Sequence, residues 1–312
     1  MFARRLKMDK IAFLFSGQGA QFSGMGKDLY ENSKSAREIF DRADKQKNIK
    51  KLCFESDIET LSNTLNTQPA LYCMGLACAY ALNEKGIKAD MTGGFSLGEI
   101  PAVMFSGMLD FDNCLKLVIK RAEFMNECAL KNKGAMAAII GVDKAELKET
   151  VKNFENVYLV NYNCPNQIVA AGSENSIDEL IHYLKSNKKR VVKLNVSGAF
   201  HSPYMKEAGE NMKEYLEQMN FNKAQIPIYS NKTAEIYDEP KALLSQQIYS
   251  PVLWENEIIN MKNAGADIFI EVGAGRVLSG LVKKILPETT VLNVGDFQSL
   301  NNTAEYLYNR RK

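Results

Sequence analysis

A serine with a glycine two residues away on either side, Gly94-x-Ser96-x-Gly98, stands in the stretch Gly93-Gly94-Phe95-Ser96-Leu97-Gly98-Glu99. This is the spacing of a nucleophile elbow, a sharp strand-to-helix turn that holds the serine at its tip. Glycine is expected at both flanks because the turn is strained and a Cβ would crowd an approaching substrate. The same pattern also arises as a purely structural glycine-rich turn, so a partner base has to decide. A serine hydroxyl is a poor nucleophile until a neighbouring group takes its proton, and histidine is the usual base near neutral pH. The chain has two histidines, His182 and His201. His182 sits on the polar face of the segment 177–184 and reads as an exposed helix residue. His201 sits in the small-residue loop Ser197-Gly198-Ala199-Phe200-His201-Ser202-Pro203, from which it can reach across to Ser96. Ordinary α/β hydrolases run Ser, then Asp or Glu, then a late His. Here a long remainder of chain follows His201 without another histidine, which counts against an esterase or lipase.

The elements that must carry these residues read as alternating strands and helices. An apolar run at 11–15 predicts a buried first strand, breaking into Ser16-Gly17-Gln18-Gly19-Ala20-Gln21 and a helix from about residue 24. Glycines after a buried strand free backbone N–H groups to face a ligand; a plain tight turn is the alternative. The spacing is neither GxGxxG nor GK[ST], so a phosphate loop is not expected. Helices are predicted at 36–45 and 68–86, the second with Thr67 as N-cap and Pro69 in its first turn. A short strand at 87–92 leads into the elbow and a helix over 97–108. An amphipathic helix over 112–131 carries Arg121 among Val118, Ile119 and Phe124, which by itself reads as a solvated helix arginine.

From residue 134 the texture changes to strand 135–141, helix 144–153, strands 157–163 and 167–172, helix 177–186 and strand 190–195. The order β-α-β-β-α-β is the split-βαβ, ferredoxin-like unit. Beyond it come a helix at 203–219, a strand at 226–230, helices at 241–247 and 254–263, a strand at 268–272 and a helix from about 277. The fold class expected is α/β: a hydrolase-like, mostly parallel sheet flanked by helices (residues 1–126 and 200–312), with an inserted ferredoxin-like α+β subdomain (127–199).

Composition narrows the function classes. The chain has 312 residues, 46% hydrophobic and 24% charged, with 39 basic against 37 acidic side chains for a net charge of +2. That balance leaves no electrostatic footprint for nucleic acid. Six cysteines (Cys53, Cys73, Cys78, Cys114, Cys128 and Cys164) form no CxxC pair and, with two histidines, no metal set. Scattered free thiols point to a reducing, cytoplasmic setting. The basic residues 1–7 precede an apolar run too short for a signal peptide, and Met8 is an alternative start. No stretch approaches the roughly 20 apolar residues that span a bilayer, so no membrane partner is expected.

Taken together, the motifs at 15–21, 66–70 and 94–99, Arg121, Asn161-Tyr162-Asn163, the loop 197–202, Gln247-Ile248-Tyr249-Ser250-Pro251-Val252-x-Trp254 and the stretch 271–275 resemble the malonyl-CoA:acyl carrier protein transacylase family of fatty-acid synthesis. The related acyltransferase domains of polyketide synthases are similar. The resemblance spans nearly the whole chain. It implies a two-step transfer of malonyl from coenzyme A to the phosphopantetheine thiol of holo acyl carrier protein, through an ester on Ser96 with His201 as base. It further implies an oxyanion hole from the backbone N–H groups of Gln18 and Leu97, and a main-chain carbonyl at Gln247 in place of a triad carboxylate. Arg121 maps to the arginine that pairs with the free malonyl carboxylate. Gln68 and Phe200 map to the substrate site, and Asn161 and Asn163 to coenzyme A contacts. No cofactor or metal is implied, and nothing demands more than a monomer. A trans-acting polyketide acyltransferase shares this chemistry; a serine thioesterase would admit water and gain nothing from Arg121, and a non-catalytic carrier-binding module would need neither Ser96 nor His201. One departure stands out: Phe95 occupies the position before the nucleophile where the family usually has His, and the chemistry is expected to survive it. Lys188, Lys189, Arg190, Lys283 and Lys284 are candidate cations for an acidic carrier protein.

Overall fold

The computed structural model describes residues 9–310, so the expectation for residues 1–7 and Met8 lies outside the described residues. Two sheets organise the chain. In the first, the strands β1 (Lys10–Phe15) and β2 (Met91–Gly94) precede the small sheet in sequence. The second sheet is built from β3 (Ala135–Ile140), β4 (Val157–Cys164), β5 (Gln167–Gly172) and β6 (Arg190–Lys193). The first is then completed by β7 (Ala266–Val272) and β8 (Thr290–Val294). Its order is β2-β1-β7-β8, parallel throughout, with Phe15 in register with Gly94 on one side and Val272 on the other. The second sheet has the order β4-β5-β3-β6 and is antiparallel. This is the mixed α/β architecture expected from the sequence.

The parallel strands are apolar along their length because helices cover both faces. Ile11, Phe13 and Phe15 pack on one side, and Ala12 and Leu14 on the other. The first side meets helix Thr64–Glu84, which is buried nearly all round. That helix begins four residues before its predicted start. Asn63 caps it, its side chain accepting the Leu65 N–H, while the Thr67 hydroxyl donates to the Leu61 carbonyl. Pro69 therefore lies inside the helix, not in its first turn, and it removes the N–H that would reach the Leu65 carbonyl. Lys47 Nζ donates to that carbonyl at 2.9 Å instead, and burial lowers the Lys47 pKa.

Three further expectations change. The segment 226–230 forms only isolated bridges, Thr92 with Ile228 and Tyr229 with Ile236; Pro227 has no N–H to donate to a ladder. The predicted 87–92 strand is displaced to Met91–Gly94, so the glycine pair is part of the strand. The helix after the elbow starts as a 3-10 turn, Ser96–Gly98, and continues as Glu99–Phe105. β8 and the terminal helix Phe297–Arg310 were not anticipated.

Helix Phe111–Lys131, capped by the Asp110 side chain on the Asn113 N–H, runs unbroken through residues 126–127. The period-2 alternation of β3 then divides its side chains. Ala135, Ala137 and Ile139 pack under the helices Lys144–Val151 and Glu174–Ser186, while Met136 and Ala138 face a cavity shared with the large sheet.

Candidate active site

The cavity, about 400 Å³, lies where the C-terminal ends of the parallel strands meet the small sheet. Ligands bind at this end of open α/β sheets. Its walls include the Ser16 to Gln21 loop after β1, Phe95 to Leu97 after β2, and Asn161 and Asn163 on β4. Val277, Leu278 and Leu281 of helix Val277–Ile285 close another side.

Ser96 is forced into the left-handed region, φ +52°, at a cost of order 1–3 kcal/mol for a non-glycine residue. The flanking glycines are needed also because backbones approach closely on both sides. A Cβ on Gly94 would come within 2.0 Å of the Gly98 carbonyl oxygen, and one on Gly98 within 2.1 Å of the Phe15 carbonyl oxygen. The crowding is with the protein's own backbone.

Ser96 Oγ lies 2.7 Å from His201 Nε2. His201 Nδ1 lies 2.9 Å from the Gln247 carbonyl oxygen. A carbonyl can only accept, so Nδ1 carries the hydrogen and Nε2 presents its lone pair to the serine. His201 is itself at φ +62°, and its N–H donates to the Ile248 carbonyl at 3.2 Å. Burial and then the Arg121 charge lower its pKa from the ordinary 6.5 to about 4. The imidazole is thus neutral at pH 7 and able to accept a proton.

Arg121 is buried, contrary to what its helix pattern alone suggests, and burial lowers its pKa to about 10. Its Nη1 donates to Gln68 Oε1 at 2.8 Å, and Nη2 to Gln247 Oε1 at 2.9 Å and to Ser96 Oγ at 3.3 Å. Its Nε has no partner, and among the described residues Arg121 makes no ion pair. Gln68 stands behind the arginine and is fully buried; it holds the guanidinium rather than lining the cavity. Gln18, Leu97, Asn161, Asn163 and Phe200 all line the cavity. The side-chain carbonyl oxygens of Asn161 and Asn163 are buried there without a partner. Leu97 is in the first turn of its 3-10 helix, where N–H groups have no intrahelical acceptor.

Sequence reasoning missed the layer beneath the serine. Asn231 Oδ1 accepts the Ser96 N–H at 2.6 Å, and Nδ2 donates to the Gly94 carbonyl at 2.7 Å and to Glu257 Oε2 at 2.8 Å. The Asn231 N–H and the Tyr237 hydroxyl donate to Glu99 Oε1. Burial raises the Glu99 pKa to about 7, and burial together with the Glu99 charge raises Glu257 well above its ordinary value. Glu99 was visible in the elbow motif, but nothing local marks Asn231 or Glu257. His182 is exposed, as expected. Phe95 packs edge-on against Trp254, with centroids 5.4 Å apart.

A protein-family model described as the acyl transferase domain matches residues 12–299. The chain belongs to that family. As an acyl transferase, it is 42% identical over 303 residues to a malonyl CoA-acyl carrier protein transacylase of Bacillus subtilis, covering 94% of this chain and 96% of the relative. The Staphylococcus aureus protein of the same name is 36% identical over 308 residues, covering 96% of this chain and 99% of the relative. Among solved structures, a malonyl CoA-acyl carrier protein transacylase from Clostridium perfringens superposes with a TM-score of 0.93 at 36% identity, covering 97% and 98% of the two chains. The enzyme is therefore an acyltransferase of this α/β fold. Its six cysteines are buried and free, no described helix is long and apolar enough to cross a membrane, and no metal-holding group of side chains occurs among the described residues.

Proposed function

We propose that this acyltransferase moves a malonyl group from malonyl-CoA to the phosphopantetheine thiol of holo acyl carrier protein, in fatty-acid synthesis, through a malonyl ester on Ser96. His201 Nε2 takes the hydroxyl proton as Ser96 Oγ attacks the thioester carbonyl. The tetrahedral intermediate collapses with loss of the coenzyme A thiol, which receives that proton. In the second half the carrier thiol gives its proton to His201 and attacks the ester, and His201 returns that proton to Ser96 Oγ as the ester bond breaks. The N–H groups of Gln18 and Leu97 are the oxyanion donors, each worth about 3 kcal/mol in such sites. Phe200, Asn161 and Asn163 contact the substrate, the two asparagines on its coenzyme A portion.

The observation that carries this reading is the buried Arg121 guanidinium, fixed by two carboxamides beside Ser96 Oγ, with its Nε unpartnered. A planar guanidinium so placed suits a free carboxylate at the far end of the acyl group. The relatives' names support malonyl and acyl carrier protein. Of the candidate docking cations, Lys189 pairs with Glu146 and Lys283 is bound to the Thr289 carbonyl, which leaves Lys188, Arg190 and Lys284 for an acidic carrier.

Loading of Arg121→Ala with malonyl-CoA and with acetyl-CoA tests the assignment. Losing a charge-assisted contact should lower kcat/KM for malonyl-CoA roughly 10- to 100-fold and spare acetyl-CoA. Equal losses on both substrates would remove Arg121 from carboxylate recognition.

A further inference from the structure

We propose that Asn231 is a positioning residue for the nucleophile: its carboxamide clamps the two ends of the Gly94–Ser96 turn, while two buried carboxyl groups hold Asn231 itself, Glu257 at the carboxamide and Glu99 at the main-chain N–H. The inference rests on the reading of Ser96 as the acylated residue. The geometry admits one orientation of the carboxamide. The Ser96 N–H can only donate and the Gly94 carbonyl can only accept, so Oδ1 faces the first at 2.6 Å and Nδ2 the second at 2.7 Å. A flipped carboxamide would break both contacts. The second Nδ2 hydrogen goes to Glu257 Oε2 at 2.8 Å, and the Asn231 N–H to Glu99 Oε1 at 2.7 Å. Asn231, Gly94, Glu99 and Glu257 are buried, and Ser96 is half-buried.

The clamp reaches beyond the turn. Gln247 Nε2 donates to the Ser96 carbonyl at 2.6 Å and lies 3.4 Å from Asn231 Oδ1, while Gln247 Oε1 accepts from Arg121 and its main-chain carbonyl holds His201. Nucleophile, base and guanidinium are thereby referenced to one carboxamide. The titratable groups around it are Glu99 on the elbow helix, Glu257 on helix Trp254–Asn263 and Tyr237 on Glu99, with Arg121 and His201 connected through Gln247. Glu99 Oε2 and Glu257 Oε1 are buried without partners. A further negative charge here would be buried beside two carboxyl groups, which disfavours it. An aspartate at position 231 keeps the acceptor for the Ser96 N–H but can reach the Gly94 carbonyl only as the protonated acid.

The test uses Asn231→Ala and Asn231→Asp beside wild type, measuring single-turnover loading from malonyl-CoA, KM and thermal midpoint between about pH 5.5 and 9. Asn231→Ala should lose at least about tenfold in the loading rate at every pH with KM for malonyl-CoA within about twofold, since the clamp acts on the reacting geometry. Asn231→Asp should approach wild type at the acid end and fall away as pH rises. Should Asn231→Ala fail to fold, the isosteric aspartate decides. Loading by folded Asn231→Ala within about twofold of wild type, or an Asn231→Asp profile parallel to wild type, overturns the proposal. A wild-type enzyme that does not load malonyl would instead overturn the functional reading.

Discussion

His201 is oriented by a peptide carbonyl where Ser-His-Asp enzymes place a carboxylate. A carbonyl fixes the tautomer but adds no negative charge to stabilise an imidazolium, and the nearby charge is the cation Arg121. Burial and Arg121 therefore both act against protonation. For the free enzyme, kcat/KM with malonyl-CoA should hold its plateau through about pH 6 and bend near pH 4 on the acid side. A bend near 6.5, the ordinary imidazole value, would mean that His201 is solvated and unperturbed. The same shift has a sign for stability. The folded state binds fewer protons at His201 than the unfolded chain between pH 6.5 and about 4, so this contribution is lost as pH falls through that window. Glu99 runs the other way: its raised pKa stabilises below its ordinary 4.5 and loses effect as pH rises to about 7. Ser96 and His201 stood out in sequence as a glycine-flanked serine and a histidine in a small-residue loop, a pair that gains specificity from the other motifs of the chain. Arg121 was legible only through resemblance, since its helix periodicity alone argued for solvent. Asn231 and Glu257 were not legible; Asn231 reaches the elbow across 135 and 137 residues of chain, and Glu257 bonds Asn231 across 26.

At the scale of the element, the elbow is a contact between two backbones. β1 and the 3-10 turn approach so closely at Gly98 that the ideal Cβ would lie 2.1 Å from the Phe15 carbonyl oxygen, and backbone cannot rotate away as a side chain can. Gly98→Ala should therefore lose about 3 kcal/mol or more, at the upper end of overpacking costs, read as a fall in urea midpoint with unchanged m-value. A midpoint within error of wild type would show that the strand and turn can separate. Elements with strong local signals were legible: the first strand, the amphipathic helix around Arg121 and every strand of the small sheet. The failures have local causes. Asn63 outcompeted Thr67 as a cap because Lys47, distant in sequence, makes Pro69 tolerable inside the helix. Pro227 kept an otherwise strand-like run out of the ladder. β8 is only half-buried along most of its length and so lacks the apolar run that marked β1 and β7.

Across the whole molecule, the site exists because strands far apart in sequence end at one level. Phe15, Gly94 and Val272 are in register, so the loop holding Gln18 and the elbow emerge together, facing Asn161 and Asn163 across the cavity. Alternating strands and helices announced such a sheet, but not which loops would share its edge. The central claim is that Ser96 carries the acyl group between donor and acceptor. Intact-protein mass spectrometry after mixing with malonyl-CoA, without acceptor and beside Ser96→Ala, tests it most directly. Wild type alone should carry one malonyl adduct, discharged by holo acyl carrier protein. Absence of an adduct with steady release of free coenzyme A, or an adduct that survives Ser96→Ala, would contradict it.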